Sequence, residues 1–441
     1  MLRQRVQLGL LHVAIALAIF PVDSIFNRIL ISDLRVSALL TALFATLPYA
    51  FSPIQLFIGT LADRFPMFGR RRSPYILIGV LLAAAGVSLA PIAIYLVPEN
   101  ATLGIFLCFG AFGLLGMGYN FATVSYFSLA AELSGDKSSS KTIATMYFMM
   151  ILTMIITGIT LGRVLEPFSI SVFYGAMWGL AGVIVLLGVL GLINLEPHMN
   201  APNALATQTR ASMGQMLPLF TKNRHARRFF IYMIVLLAAI LGQDLIVEPF
   251  AAEVLGFSVG ETTRITSVYG TAFLLALILG GLLEGRLTKR TVAIGSGIMA
   301  IAAFALIILS GITVSAPLFY GGLLVLGTAI GLSTVSNHAI MLEMTTPANV
   351  GLFIGAWGMA SAFARLLGQM TSGLVLDLFA DVTAFVGLGY LIMFGIKIGF
   401  LLFSLWQLSR LDIEAFRTNA DTDEAKVDLT EQAAMAGQAM E

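Results

Sequence analysis

The stretch that decides the fold is GTLADR at residues 59–64, followed after a brief turn by GRRR at residues 69–72. The flanking runs, 36–62 and 73–97, are apolar, and each is long enough to cross a bilayer, which takes about 20 residues as a helix. The stretch is therefore predicted to be a short hairpin at the membrane surface. Its clustered arginines predict that this surface is the cytoplasmic one.

Composition excludes a soluble globular protein. Hydrophobic residues make up 58% of the chain and charged residues only 11%, whereas soluble domains carry about 25% charged residues. The formal net charge of +1, without a basic patch, indicates no nucleic-acid partner. The single cysteine, Cys108, excludes an internal disulfide and a cysteine metal cluster. The chain is predicted to be a multi-pass integral membrane protein.

Apolar stretches of sufficient length predict twelve spans. They lie near residues 8–30, 36–62, 73–97, 102–131, 140–165, 171–194, 227–251, 262–284, 290–312, 316–342, 350–377 and 383–409. This pattern predicts a six-helix bundle at 1–194, a cytoplasmic linker at 195–226, a second six-helix bundle at 227–409 and a mobile tail at 410–441. With the N-terminus inside, 19 of the 25 Lys and Arg fall on the cytoplasmic side, so both termini are predicted to be cytoplasmic.

The two bundles carry acidic or amide residues at corresponding positions. Two pairs are 221 residues apart and two are 211 apart: Asp63 and Glu284, Asn27 and Glu248, Glu132 and Glu343, Glu166 and Asp377. This arrangement resembles the parallel repeat of major facilitator transporters, whose central site lies between the halves. The hairpin at 59–72 resembles the loop between spans two and three of that superfamily. We therefore expect an all-α membrane protein with a major facilitator fold.

Ionisable residues inside spans are costly and are functional candidates by default. Together with two amides they form one set near the outer face, around Pro21 in span one and Pro249 in span seven: Asp23, Asn27, Arg28, Gln243, Asp244 and Glu248. Pro249 is expected to end the regular helix. If the halves pack as the repeat predicts, Arg28 meets Glu248 or Asp244 and forms an outer gate. The alternative is an interdomain salt bridge that only fixes the closed shape.

Two basic residues lie near the middle of later spans. Arg365, with Gln369 one turn on, is expected either to face the central cavity and hold an anionic or carbonyl group, or to pair with Asp244 or with backbone carbonyls. Lys397 lies in span twelve, which is peripheral in this fold, so it is expected to snorkel or to meet a partner protein.

A second set is expected to close the inner face. It comprises Gly59, Asp63, Arg64, Arg71, Arg72, Glu132, Glu284, Arg290 and Glu343. Asp63 is expected to accept hydrogen bonds from the start of span eleven, near 349–351, where the helix dipole favours a negative charge. Glu132 is expected to pair with Arg71 or Arg72, and Glu343 with Arg290.

Histidine chemistry gives one further candidate. Neutral imidazole can bind a metal, including the magnesium of a chlorophyll, and Asn337 with His338 in span ten is the candidate pigment site. The alternative is a hydrogen-bonded packing histidine. No H-x-x-x-H, E-x-x-H or cysteine pair indicates a permanent metal site, and no P-loop or G-x-S-x-G motif indicates ATP use or catalysis.

Several phrases resemble the PucC/LhaA, or bacteriochlorophyll-delivery, family of the major facilitator superfamily. They are FNRIL at 26–30, GRRRSPYI at 69–76, QDLIVEPF at 243–250 and SVGETTR at 258–264. The resemblance implies a non-enzymatic protein of a photosynthetic membrane, thylakoid or bacterial inner, that assists assembly of light-harvesting complexes. It implies chlorophyll or bacteriochlorophyll as bound cargo, with no permanent cofactor. The implied partners are membrane lipids, pigment, light-harvesting polypeptides or pigment-synthesis enzymes.

Two alternatives stay open at this point. One is a secondary transporter of a small anionic or amphipathic solute, with Arg365 as the anchor and the acids Asp23, Asp244 and Glu248 coupling ions. The other is a non-transporting scaffold that binds antenna polypeptides through its lipid-facing surfaces.

Overall fold

The computed structural model describes residues 2–134, 139–197, 224–283, 287–343, 350–380 and 387–411. In that part the chain forms fourteen α-helices: α1 Leu2–Pro21, α2 Ala38–Ala50, α3 Ile54–Arg64, α4 Ser73–Leu96, α5 Ala101–Ser134, α6 Ser139–Val164, α7 Ile170–Leu192, α8 Arg224–Leu241, α9 Val247–Leu255, α10 Val259–Leu283, α11 Lys289–Thr313, α12 Ala316–Glu343, α13 Val350–Phe379 and α14 Leu388–Ser409. Ten helical stretches of these described residues are long and apolar enough to cross a membrane. The chain is a multi-pass integral membrane protein.

The predicted second span is two helices, α2 and α3, separated at residues 51–53. Pro48 and Pro53 have no N–H to give to the preceding turn, so the helical hydrogen bonding is interrupted here. Asn120 of α5 compensates: its Nδ2 donates to the Pro48 carbonyl at 2.8 Å and to the Gly116 carbonyl at 2.7 Å. Gln55 in turn donates to Asn120 Oδ1 at 2.7 Å. The single continuous span expected over 36–62 is therefore wrong.

The first and seventh spans are irregular where the candidate residues lie. After Pro21 the first span continues as two π-helical turns, Val22–Phe26 and Ile29–Asp33. The seventh span passes from α8 through a 3₁₀ turn, Gly242–Leu245, into α9. Pro249 was expected to end the regular helix, and this is wrong, because it lies in the first turn of α9, where a missing N–H costs nothing. Local π and 3₁₀ geometry inside long helices is frequent at functional sites.

Two clusters of buried apolar side chains form the core. The first is built mainly from α1, α2 and α4–α7, and the second mainly from α8–α14. Each half thus has its own core, and the clusters exchange a few members: Val259 joins the first, and Ile31, Ala38 and Ala42 join the second. The linker and tail, 198–223 and 412–441, lie outside the described residues, and the exact domain bounds stay a prediction.

The halves meet along two helix pairs, α6 with α10 and α2 with α13. Glycines let these backbones approach: a Cβ on Gly162 would lie 2.7 Å from the Gly260 carbonyl oxygen, and one on Gly373 would lie 2.6 Å from the Ala38 carbonyl oxygen. Both approaches lie toward the face of the bundle opposite the start of α1. We call that face the outer face and the other the inner face.

Candidate functional site

An ion-pair cluster joins the two halves near the middle of the bundle. Arg365, midway along α13, places Nη1 3.0 Å from Asp244 Oδ2 and 3.7 Å from Asp23 Oδ2. Asp23 belongs to the first half, whereas Asp244 and Arg365 belong to the second. The guanidinium also lies over the ring of Tyr49, 4.8 Å from its centroid. The expected pairing of Arg365 with Asp244 is found.

Arg28 does not cross between the halves. It pairs with Asp33, five residues further along the same segment, so its predicted pairing with Glu248 or Asp244 is wrong. A π-helical turn bonds residue i to i+5, which aligns side chains with this spacing on one face. Asn27 makes the crossing contact instead, because its Nδ2 donates to the Asp244 main-chain carbonyl at 3.3 Å.

Several polar side chains around the cluster are buried. Gln243 Nε2 donates to Asp244 Oδ1 at 2.9 Å. Glu248 is 3% exposed, and Gln369 and Lys397 are fully buried. Among the described residues, Glu248 Oε2, both amide atoms of Gln369 and Lys397 Nζ have no hydrogen-bond partner. The snorkelling or partner-facing position expected for Lys397 is therefore wrong; α14 packs against α8 and α11, and its lysine points inward.

A partly exposed surface with aromatic side chains lies beside the cluster. The side chains of Arg365 and Asp23 expose 22% and 17% of their surface although they lie deep in the bundle. Next to them, the rings of Tyr49 and Tyr119 are in edge contact, with centroids 6.1 Å apart. Tyr119 is also close to Tyr126 and to Tyr147, which is 44% exposed. The interface between the halves therefore has an accessible surface that is aromatic with one charged end.

The structure brings out a histidine that sequence reasoning did not select. His12 Nδ1 lies 2.7 Å from Tyr126 Oη, and its ring is in edge contact with Tyr126, Phe127 and Tyr147. His12 Nε2 is buried and has no hydrogen-bond partner in the described part of the chain. No sequence motif signals this site, because its members come from three different helices.

The predicted pigment pair, Asn337 and His338, does not form one site. Asn337 is buried and accepts a hydrogen bond from Tyr232 Oη at 2.6 Å, which ties α12 to α8. His338 is exposed, and its Nδ1 lies 2.7 Å from the Thr334 carbonyl of its own helix. Adjacent residues on a helix point about 100° apart, so the two side chains lie in different environments.

Two outer contacts hold the halves together. In the Glu166 contact, Arg264 Nη2 donates to Glu166 Oε2 at 2.6 Å. The Asp377 contact joins the carboxylate of Asp377 to the start of α2, where it accepts bonds from Ser37 Oγ at 2.5 Å, Ala38 N at 2.7 Å and Leu39 N at 3.0 Å. The repeat spacing singled out both acids, but it did not identify them as contacts between the halves.

A third outer contact is an ion pair, with Arg35 Nη1 3.4 Å from Glu253 Oε1. Burial raises the pKa of Glu253 above its ordinary value, even though Arg35 opposes the shift.

On the inner face the structure pairs Glu132 with arginine, as expected. Arg72 donates to Glu132 Oε1 through Nε at 3.1 Å and Nη2 at 3.0 Å, and Arg71 Nη2 lies 3.7 Å from Glu132 Oε2. Glu196, which sequence reasoning missed, accepts the main-chain N–H groups of Arg71, Arg72 and Ser73 at the start of α4. These contacts all lie within the first half.

The remaining inner candidates are only partly described. Gly59 is buried on α3 and Arg64 is exposed at its end. Arg290 donates to the carbonyls of Leu408 and Ser409, at 3.3 and 2.5 Å, at the end of α14. The side chains of Asp63 and Glu343, all of Glu284 and residues 344–349 lie outside the described residues, so the pairings proposed for them stay predictions.

Two helical halves that meet around a buried ion-pair cluster define a membrane protein of the major facilitator type. Solved structures agree: the nucleoside transporter NupG superposes with a TM-score of 0.65 at 17% identity, covering 92% of this chain and 98% of that one. A bacterial homologue of the iron transporter ferroportin, inward-facing, gives 0.69 at 11% identity, with 93% and 99% covered. The expected fold class is confirmed, and at these identities the likeness concerns the fold alone.

The chain belongs to the PUCC protein family, whose model matches residues 25–416. It is 26% identical over 448 residues to the "Uncharacterized protein in puhA-bchM intergenic region" of Rhodobacter capsulatus, covering 98% of this chain and 94% of the relative. It is 27% identical to Protein PucC of Rhodovulum sulfidophilum, with 85% of each covered. It is 26% identical to the "Bacteriochlorophyll synthase 44.5 kDa chain" of R. capsulatus, with 86% and 89% covered. The resemblance found in the sequence phrases is confirmed.

Proposed function

We propose that this protein assists the assembly of light-harvesting or other chlorophyll-binding complexes, and that it does so by binding (bacterio)chlorophyll without catalysis. Its family supports this proposal, since one relative is named as a bacteriochlorophyll synthase chain and others as PucC. Its membrane is then a photosynthetic one, and its partners are lipids, pigment and antenna polypeptides or pigment-synthesis enzymes. The excess of Lys and Arg on one side supports cytoplasmic termini.

The observation that carries the pigment proposal is the aromatic surface between the halves. A chlorin is a broad, flat and largely apolar ring with carbonyl groups at its edge. Rings such as Tyr49 and Tyr119 offer faces and edges for stacking against it. Arg365, at the end of this surface, has donors in addition to those used by its two aspartates and can bind a carbonyl.

His12 is the better magnesium ligand of the two intramembrane histidines. If Nδ1 carries the proton and donates it to Tyr126, the lone pair of Nε2 is free for a metal. Because Nε2 is buried, a pigment reaches it only when a neighbouring ring moves, and the half-exposed Tyr147 is the ring with space to do so. The choice of His12 over His338 rests on the contacts of the His12 ring with Tyr126, Phe127 and Tyr147.

The test is purification of the full chain in mild detergent from a pigment-producing host, followed by absorption spectroscopy. Wild type is expected to carry chlorophyll-type bands. His12→Phe is expected to lower the pigment-to-protein ratio several-fold, whereas the matched variant His338→Phe keeps it. Colourless wild type, or equal pigment in His12→Phe of unchanged melting temperature, would contradict the proposal.

The two alternatives make different predictions in the same experiment. A scaffold for antenna polypeptides co-purifies with a polypeptide and without pigment. A transporter of an anionic solute needs an unneutralised positive anchor, and Arg365 is already paired with two carboxylates. That pairing disfavours the anionic solute, and the fold alone supports the transporter reading.

A further inference from the structure

The inner end of the second span turns back in a tight hairpin. Met67 and Arg70 exchange main-chain hydrogen bonds, with each N–H donating to the other residue's carbonyl oxygen at 3.0 Å. The two residues between them, Phe68 and Gly69, have φ angles of 53° and 70°. Positive φ at both central residues is typical of a type I′ turn, which favours Asn, Asp or Gly at its first central position. Phe68 occupies that position instead.

Phe68 is both strained and exposed. A bulky residue at positive φ is a genuine conformational outlier, and it persists only where the surrounding structure holds it. The residue is 89% exposed, so its ring does not pack inside the protein. Strained residues of this kind cluster at functional sites. The Phe68 ring is therefore available to a partner outside the chain.

Contacts on both sides of the turn hold the hairpin in place. Before the turn, Tyr75 Oη of α4 donates to the Phe65 carbonyl at 2.9 Å. After the turn, the Glu196 carboxylate accepts the main-chain N–H groups of residues 71–73. The fold therefore fixes the position of the Phe68 ring relative to the bundle.

The exposed apolar face of α3 continues into this hairpin. Phe57, Leu61 and Phe65 recur at four-residue intervals, which places them on one side of the chain, and all three are exposed. Phe68 follows three residues later. Because α3 forms the inner half of the second span, this apolar face reaches the membrane surface where the helix ends.

Arginines flank the apolar tip. Arg64, at the end of α3, is exposed, and Arg70, directly after the turn, is partly exposed. An apolar ring between guanidinium groups matches the boundary of a bilayer, where acyl chains meet anionic phosphate groups. A pocket on a partner protein would fit the ring alone. The membrane boundary fits the ring, the continuing apolar face and the arginines together.

We propose that the hairpin at residues 65–70 anchors the inner end of α3 to the membrane surface. The Phe68 ring inserts at the level of the lipid headgroups, and Arg64 and Arg70 bind the phosphate groups of anionic lipids. This interaction depends on the surface charge of the membrane and does not involve pigment. Its failure would therefore leave the proposed function unaffected.

Spin-label power saturation of the full chain in lipid nanodiscs measures the depth of the hairpin. The label is placed on Pro66→Cys, an exposed hairpin position, in a Cys108→Ala background. It is expected to collide more often with oxygen, which concentrates in bilayers, than with a water-soluble nickel chelate. Phe68→Asn is expected to reverse this preference without lowering the melting temperature, because Asn suits the turn. A label on Glu99→Cys, in the exposed loop between α4 and α5, is the aqueous control.

Anionic lipid tests the arginines. The ratio of oxygen to nickel accessibility is expected to be several-fold higher in nanodiscs that contain phosphatidylglycerol than in phosphatidylcholine alone. The double variant Arg64→Gln, Arg70→Gln is expected to lose this increase. Arg163→Gln, which removes an exposed arginine at the other end of the bundle, is the matched control and keeps it.

Three results would overturn the proposal. The first is a label that is water-accessible in both lipids, which would point to a partner protein as the ligand of the ring. The second is a label that stays in the bilayer in Phe68→Asn. The third is a depth that does not respond to anionic lipid.

Discussion

The Glu166 and Asp377 contacts occupy corresponding places in the two halves, yet they hold the interface in different ways. Glu166 reaches a guanidinium, that of Arg264, and both side chains are about 40% exposed. Asp377 reaches the start of a helix and accepts one hydroxyl and two main-chain N–H groups. The two acids therefore lie at corresponding positions of the two halves, whereas the group that each acid binds depends on the residues that the opposite half places next to it.

The difference has an energetic consequence. Exposed ion pairs contribute about 0.2–1 kcal/mol, because water and salt screen them. Hydrogen bonds to a charged acceptor contribute about 1.5–3 kcal/mol, and a helix N-terminus adds a favourable dipole. The Asp377 contact should therefore be the stronger of the two, and variants at matched positions test this ranking.

The largest effect is expected from a side chain placed where the backbones approach. A Cβ at Gly373 would lie 2.6 Å from the Ala38 carbonyl oxygen and 2.8 Å from Leu39 Cα, and neither atom can move aside easily. Gly373→Leu is expected to shift the equilibrium toward the open form, in which the halves are separated at the outer face, by about 3 kcal/mol, or roughly 150-fold. Distances between spin labels on Ser171→Cys and Thr313→Cys, in a Cys108→Ala background, measure the shift, since both residues are exposed at the outer face.

Gly162→Leu is the counterpart of that variant in the Glu166 contact, where the Gly260 carbonyl oxygen would lie 2.7 Å away. Gly175→Leu is the control, since a Cβ there has no neighbour within 4 Å. If the control opens the outer face as much as Gly373→Leu does, close backbone approach is not what holds the halves together.

Removal of the Asp377 carboxylate should have the next largest effect. Asp377→Ala leaves the start of α2 without its acceptor and is expected to favour the open form by about 2 kcal/mol, or roughly 30-fold. The same spin-label pair reports it, and Asp377→Asn should retain part of the closure. If the Asp377→Ala protein closes as wild type does, the Asp377 contact does not stabilise the closed form.

Arg264→Met should have a smaller effect, because its partner is half-exposed. The expected change is below about 1 kcal/mol, which is less than roughly fivefold, and it should shrink as salt is added. The ratio of the open populations in Asp377→Ala and Arg264→Met compares the strengths of the Asp377 and Glu166 contacts directly. A larger effect for Arg264→Met would reverse the proposed ranking.

The smallest expected effect is a pH dependence at the third outer pair. The pKa of Glu253 is raised in the folded protein, so the fold binds its proton more tightly than the unfolded chain does. The stability contribution is therefore present at low pH and is lost as pH rises from the ordinary glutamate value through the raised one. Glu253→Gln should flatten this part of the profile of melting temperature against pH. If the slope does not change, the pH dependence in this range comes from another group.

The sequence predicted most of the spans, the two helical halves and the family, because these depend on hydrophobic length and on spacing along one chain. It predicted that Glu132 meets an arginine, since both lie at the ends of neighbouring spans. It did not predict the partner of Arg28, because two π turns changed which residues share a face. It did not predict the burial of Lys397 or the surroundings of His12, because both depend on how separate helices pack.

Asn120 has a mechanical consequence for the broken second span. Its amide supplies the hydrogen bond that the Pro48 carbonyl lacks, and the donor comes from a neighbouring helix instead of from the main chain. A rotation of α3 against α2 should therefore also move the middle of α5, because the Asn120 side chain connects the two. An apolar residue in place of Asn120 would remove this connection and leave the buried Pro48 carbonyl without a hydrogen-bond donor.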